Sequence, residues 1–193
     1  FQVLAHIAIL DLEIVHYFDL DQAAMDKFAN NLRDCGVKLI AASSAEAALK
    51  DTDIVITATA AATAQQVLKL SDLKNGWHIN AIGGDGPGKT ELDPKILDAA
   101  KVVVEYFPQT KVEGEIQNMQ REPDAELWEI IKNNKTVRTS DEQITVFDSV
   151  GFALEDYSTL MWLYSVCENH QIAENHDFVP EVSDPKNLFV SLL

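Results

Sequence analysis

Two cysteines, no long apolar run and few basic residues set the first limits on this chain of 193 residues. Cys35 and Cys167 stand far apart and lack metal-ligand spacing, so they read as free thiols in a reducing compartment. No stretch approaches the roughly 18 apolar residues that a membrane-spanning helix needs. Asp11 and Glu13 interrupt the N-terminal apolar segment too early for a secretory signal. Lys and Arg number 15 against 31 Asp and Glu, a net charge of −16. An acidic chain with no basic run argues against nucleic acid and membrane as partners, and a cytoplasmic location is expected. The five histidines are scattered, and no pair has the spacing of a metal site. No Ser-His-Asp or Cys-His arrangement has local support. Internal repeats and low-complexity segments are missing too. The first residue is Phe1 rather than Met, in mid-helix and without a cap residue before it. The chain is therefore expected to be a fragment whose beginning is missing.

Short apolar strands alternate with helices along the whole chain. A first helix covers residues 1–10 and leads into the strand Ile14–Asp19. Asp21 caps a helix of residues 22–34. Strands follow at residues 37–41 and 53–58, with a short helix from Ser44 between them. A helix is expected over residues 63–70, then the strand 77–82. Asp93 and Pro94 open another helix, and 101–105 is a strand. Residues 113–133 are expected to be mainly helical, in two pieces around Pro123. The last strand is 143–147, followed by a long helix over 151–169. The final 24 residues, with Pro180 and Pro185, read as an extended arm. This alternation predicts an α/β fold, a doubly wound parallel sheet with helices on both faces.

In such a sheet, ligands bind beyond the carboxyl ends of the strands. The richest of these ends is His78-Ile-Asn-Ala-Ile-Gly-Gly-Asp-Gly-Pro-Gly-Lys-Thr-Glu-Leu92. Gly83, Gly84, Gly86 and Gly88 are half of the chain's eight glycines, and Asp85 sits among them. Glycines let backbone approach a ligand closely, although Gly, Asp and Pro also make plain turns. Asp19 ends its strand where a dinucleotide fold places its ribose acid; a simple loop acid is the alternative. Thr57 and Thr59 end another strand, where their hydroxyls reach a nucleotide or are ordinary strand residues. Asp148-Ser149-Val150-Gly151 ends the last strand and enters a helix, whose N-terminal backbone amides would hold an anion or a ring amide; the alternative is that Ser149 caps that helix. The phosphate fingerprint G-x-G-x-x-G is absent; its natural place is just upstream of Phe1.

Three long motifs resemble the bacterial ornithine cyclodeaminases of the ornithine cyclodeaminase/mu-crystallin family: residues 78–92, Val104–Gln117 and Val146–Tyr157. The arm, residues 179–189, is similar to that family's C-terminal end. The resemblance covers nearly the whole chain. It implies a Rossmann-type domain over residues 1–150, incomplete because its first strand and Gly-rich loop are missing. Residues 151–193 would return to a second domain that binds substrate and makes a homodimer. The implied reaction converts L-ornithine to L-proline and ammonia, with NAD recycled within each turnover. By resemblance, Asp85 is the catalytic carboxylate. Asp19 maps to the ribose position, and Thr59, Asn80, Ala81, Ile82, Gly83, Lys89 and Ser149 map to cofactor contacts. Val150 lies beside the substrate, and Asp85 also touches it. NAD is expected over NADP, because Asp19 would repel a 2′-phosphate. Where many members have Thr-Ala-Asp-Lys, this chain has Thr59-Ala-Ala-Ala62. The family's substrate-carboxylate contacts would lie upstream of Phe1, so the chain alone is expected to lack turnover. Other readings on the same fold are a lysine cyclodeaminase, a ketimine reductase or an alanine dehydrogenase; a mu-crystallin-like binding protein is the non-enzymatic one.

Overall fold

The computed structural model describes residues 1–59 and 64–174. In chain order, α1 (Gln2–Ile9), β1 (Ile14–Tyr17), α2 (Gln22–Leu32), β2 (Lys38–Ala41), α3 (Ala45–Ala48) and β3 (Ile54–Thr57) come first. They are followed by β4 (His78–Ala81), α4 (Pro94–Ala99), β5 (Lys101–Val104), α5 (Phe107–Glu113), β6 (Ala125–Glu126), α6 (Leu127–Ile131), β7 (Thr145–Asp148) and α7 (Ala153–His170). Two compact units result, Phe1–Gly151 and Phe152–Leu193.

All strand pairs are parallel, but they form two sheets rather than one. One is the pair β1-β2; the other has five strands in the order β3-β4-β7-β5-β6. The core of the larger sheet is a row across its three inner strands. Ile79 pairs with Val146, and Val146 with Val102; none of the three is exposed at all. Burying each such side chain is worth about 1.5–3 kcal/mol. Trp77 is buried at the start of β4, and its indole Nε1 donates to Thr52 O at 2.7 Å, so its polar edge is satisfied. The caps expected from sequence are in place. Asp21 Oδ1 accepts from Ala23 N at 2.9 Å, and Asp93 Oδ1 from Lys95 N at 3.0 Å ahead of Pro94.

Three expected elements are different in the structure. Residues 64–69 are not helical; residue 63, where the helix was expected to start, lies outside the described residues. The backbone of 65–68 instead runs beside the exit of the glycine loop. Gln65 N donates to Thr90 O, Val67 N to Glu91 O, and Asp93 N to Leu68 O. That tertiary pairing, with Leu68 buried beneath it, overrides local helix preference. Residues 113–133 are broken further than expected. Pro108 starts α5 early, Gly114 ends it, and a 3-10 turn covers Glu115–Asn118. Asp124 N then donates to Val102 O, which brings in β6 as an edge strand. The last helix begins at Ala153 rather than 151, because Gly151 has φ +73° and gives its N–H to Glu105. The expected arm lies outside the described residues from residue 175 onward.

Candidate active site

Every strand of the larger sheet ends on the same edge, since all run parallel. From there β4 runs into the glycine loop. Gly86 O accepts from Lys89 N at 3.0 Å, with Pro87 and Gly88 between them and Gly88 at φ +75°. This is the pattern of a type II turn, so the plain-turn reading holds for residues 86–89. The turn also puts Lys89 beside Asp85: Nζ lies 2.6 Å from Oδ1. Asp85 Oδ2 has no hydrogen bond among the described residues. The far side of the loop is tied to the end of α5 and to the turn after it. Gly86 N donates to Glu113 O at 3.0 Å, and Gly88 N to Gln117 Oε1 at 2.6 Å.

The loop's first two glycines rest on buried acids. A Cβ on Gly83 would fall onto the Glu91 carboxylate, and one on Gly84 would lie 2.8 Å from Glu115 Oε1. No other residue fits at these two positions without moving an acid. Glu91 Oε1 accepts from both Thr59 N at 2.6 Å and Thr59 Oγ1 at 2.5 Å. Ser149 does not cap a helix. Its Oγ donates to Glu105 Oε1 at 2.5 Å, and its N–H continues the ladder to Ala81 O.

The structure therefore gathers Thr59, Asn80 to Gly83, Asp85, Lys89, Ser149 and Val150 along one sheet edge. Asp19 stands at the carboxyl end of β1 in the smaller sheet, with a local bond from Asp21 N to its Oδ1 at 2.8 Å. Asn80 is buried, and its Nδ2 lies 3.1 Å from His6 Nε2, so α1 reaches β4. His78 is structural: its Nδ1 is 2.8 Å from Thr145 Oγ1, and burial pushes its pKa down. Glu91, Glu105, Glu115 and Asp148 were given no role by the sequence reading. Their signal was present: Glu91, Glu115 and Asp148 each adjoin apolar residues in the three motifs, where a carboxylate needs partners.

The donors and acceptors suit a nicotinamide dinucleotide on this edge. Asp19 engages only its Oδ1 in a hydrogen bond among the described residues, which leaves the other oxygen as an acceptor of the kind that fits a ribose diol. Among the described residues, no group of His, Cys, Asp and Glu is arranged to hold a metal ion, and no helix is long and apolar enough to cross a membrane.

A parallel, helix-connected sheet with an acid-bearing glycine loop at its carboxyl edge defines a Rossmann-type α/β domain. Its sequence goes further than the class. The profile of the "Ornithine cyclodeaminase/mu-crystallin family" matches residues 1–171, and the chain belongs to that family. It is 41% identical over 194 residues to an ornithine cyclodeaminase of Brucella melitensis, covering 100% of this chain and 54% of that protein. Two solved structures share the fold. An archaeal alanine dehydrogenase dimer with bound NAD superposes with a TM-score of 0.80 at 32% identity, covering 92% of this chain and 57% of the other. A lysine cyclodeaminase, solved to show recognition of L-lysine, L-ornithine and L-2,4-diaminobutyric acid, gives 0.83 at 28% identity, covering 95% and 55%. The chain spans about half the length of the curated relatives it matches.

Proposed function

We propose that this chain is the cofactor-domain part of an ornithine cyclodeaminase, forming L-proline and ammonia from L-ornithine with NAD. The observation that carries this reading is the Asp85 carboxylate, gripped by Lys89 on a glycine loop at the carboxyl end of β4. The 41% identity to an ornithine cyclodeaminase supports the substrate choice. NAD, when bound, supplies the reversible oxidation at the substrate's α-carbon. Asp19, Thr59, Asn80 to Gly83 and Ser149 would hold it.

The protein's own part is proton handling and placement. Asp85 accepts a proton from the δ-ammonium of ornithine, which frees an amine lone pair. That amine attacks the α-carbon at the imine stage and closes the five-membered ring. The α-nitrogen then departs as ammonia and takes a proton back from Asp85, so the carboxylate ends each cycle as it began. Lys89 fixes one oxygen of the carboxylate and leaves the other for the substrate. Lys89 is thereby a positioning residue for Asp85. Val150, beside Ser149, borders the substrate. The unit from Phe152 onward belongs to the substrate-binding and dimer-forming part of the whole protein.

The similarity to a lysine cyclodeaminase and an alanine dehydrogenase makes those activities the alternatives. A panel of ornithine, lysine, alanine and cyclic imines, tested on the whole natural protein, separates them. Proline and ammonia without net change in NADH support the proposal; net consumption of NADH or NADPH refutes it. In that protein Asp85→Asn should lower turnover by about a hundredfold or more while NAD still binds.

A further inference from the structure

Among the described residues, Glu91, Glu115 and Asp148 are the most deeply buried acids, at 1%, 1% and 0% exposure, and the proposed reaction uses none of them directly. No ion pair among the described residues engages any of the three. Each instead grips the backbone of the next. Asp148 Oδ2, at the end of β7, accepts from Ile116 N at 2.9 Å. Glu115, held by that contact to its neighbour, accepts from Glu91 N at 2.6 Å through Oε1 and from Leu92 N at 3.0 Å through Oε2. Glu91 in turn accepts from Thr59 N and Oγ1, beyond β3.

This chain of acids passes under the catalytic loop and supports it. Gly83 sits on the Glu91 carboxylate and Gly84 on that of Glu115. Gly114 does the same for Asp148, whose Oδ2 would be 2.6 Å from a Cβ there. So three glycines, two of them in the loop, are shaped to three carboxylates. The cluster is also short of donors: Glu91 Oε2 and Asp148 Oδ1 are buried without a hydrogen-bond partner. A carboxyl proton retained inside the cluster supplies a donor that the backbone does not.

We propose that Glu91, Glu115 and Asp148 form a hydrogen-bonded acid chain, carrying a carboxyl proton, that positions the Asp85 loop and Thr59 as one unit. This rests on the reading of Asp85 as the proton-transfer group. Loss of the internal proton leaves like charges packed beneath the loop, which loosens Asp85 and Thr59 together. Burial is the main cause that pushes both Glu115 and Asp148 up to about 7, and neighbouring acids add to it: Asp148 and Glu91 for Glu115, Glu105 for Asp148. The amide donors pull the other way. The surrounding elements also carry Lys111 and Glu113 on α5, Asp93, Lys95 and Asp98 at α4, Lys101 at the start of β5, and the Asp85–Lys89 pair on the loop itself.

The test uses the whole natural protein and compares wild type with Glu115→Gln and Asp148→Asn. The first readout is an amide NMR titration of Thr59, Gly83, Gly84 and Asp85. The second is the pH profile of kcat and KM for ornithine. In wild type the four amides should shift together with one midpoint near 7. In Asp148→Asn that common step should vanish and kcat should hold its low-pH value as pH rises through 7. In Glu115→Gln, which sets an NH2 group against an amide that Glu115 now accepts from, the step should vanish with kcat lowered about tenfold and KM changed little. Asp148→Asn keeps an acceptor for Ile116 N and resembles the protonated acid, so it reads out the proposal even if Glu115→Gln does not fold. Amides that titrate separately, or a common step and a kcat profile unchanged in Asp148→Asn, overturn the acid chain. If the common step is present but ornithine is not turned over, the acid chain stands and the proposed activity fails.

Discussion

Lys89 Nζ lies 2.6 Å from Asp85 Oδ1, and the two side chains differ sharply in exposure, at 18% for the lysine and 58% for the acid. The lysine is anchored and the acid faces outward. A charge pair built this way holds a carboxylate in one place more than it stabilises the fold, because the exposed half is screened by water. Lys89→Met should lower kcat by about tenfold and barely change the melting temperature. Combined with Asp85→Asn it should add little further loss, and steady-state kinetics on the double variant checks this.

The loop's glycines are not equivalent. Gly83→Ala would put a methyl group into the Glu91 carboxylate and should destabilise by about 1–3 kcal/mol, as overpacking does. Gly86→Ala has nothing within 4 Å of its new Cβ and should stay within about 0.5 kcal/mol of wild type. Urea unfolding of the two variants side by side measures the difference.

Stability should fall with rising pH. Glu115 and Asp148 have ordinary values of 4.5 and 3.8 and are pushed up to about 7 in the folded chain. The folded protein therefore keeps protons that the unfolded chain has already lost. This contribution is complete below the ordinary values, declines as pH rises through 7, and is absent above it. For Glu115 alone the swing is on the order of 3 kcal/mol. Unfolding free energies measured below the ordinary values and again above 7 should show the loss, and Asp148→Asn should show less of it.

Asp19 bears on the choice of dinucleotide. Asp19→Ala should weaken NAD binding by about tenfold and narrow the preference over NADP, because the acid that repels a 2′-phosphate is gone. Competition titrations with both cofactors test this.

The strands of the core were legible because their chemistry is local. Ile79, Val102 and Val146 lie in short branched runs that a fully buried parallel strand requires, and Asp21 and Asp93 announce their helices as caps. Residues 64–69 were misread because their partners are Thr90, Glu91 and Asp93, contacts that no local pattern encodes. Asp85 stood out among its glycines, so the loop was found. The acids beneath it were not, because a carboxylate's burial depends on which amides come to meet it. Glu91 and Glu115 are 24 residues apart in sequence and joined by a 2.6 Å bond. Ser149 shows the same limit: whether it caps a helix depended on Gly151 turning away to Glu105.

The buried indole of Trp77, bonded to Thr52, has an optical consequence. The three tryptophans sit at 2% exposure for Trp77, 49% for Trp128 and 65% for Trp162. Only Trp77 emits from a dry environment, so a red shift in fluorescence marks the moment at which the base of β4 opens to solvent. Trp162, already in water, stays silent through the same event. The larger sheet thus carries its own dye, placed where β3 and β4 begin.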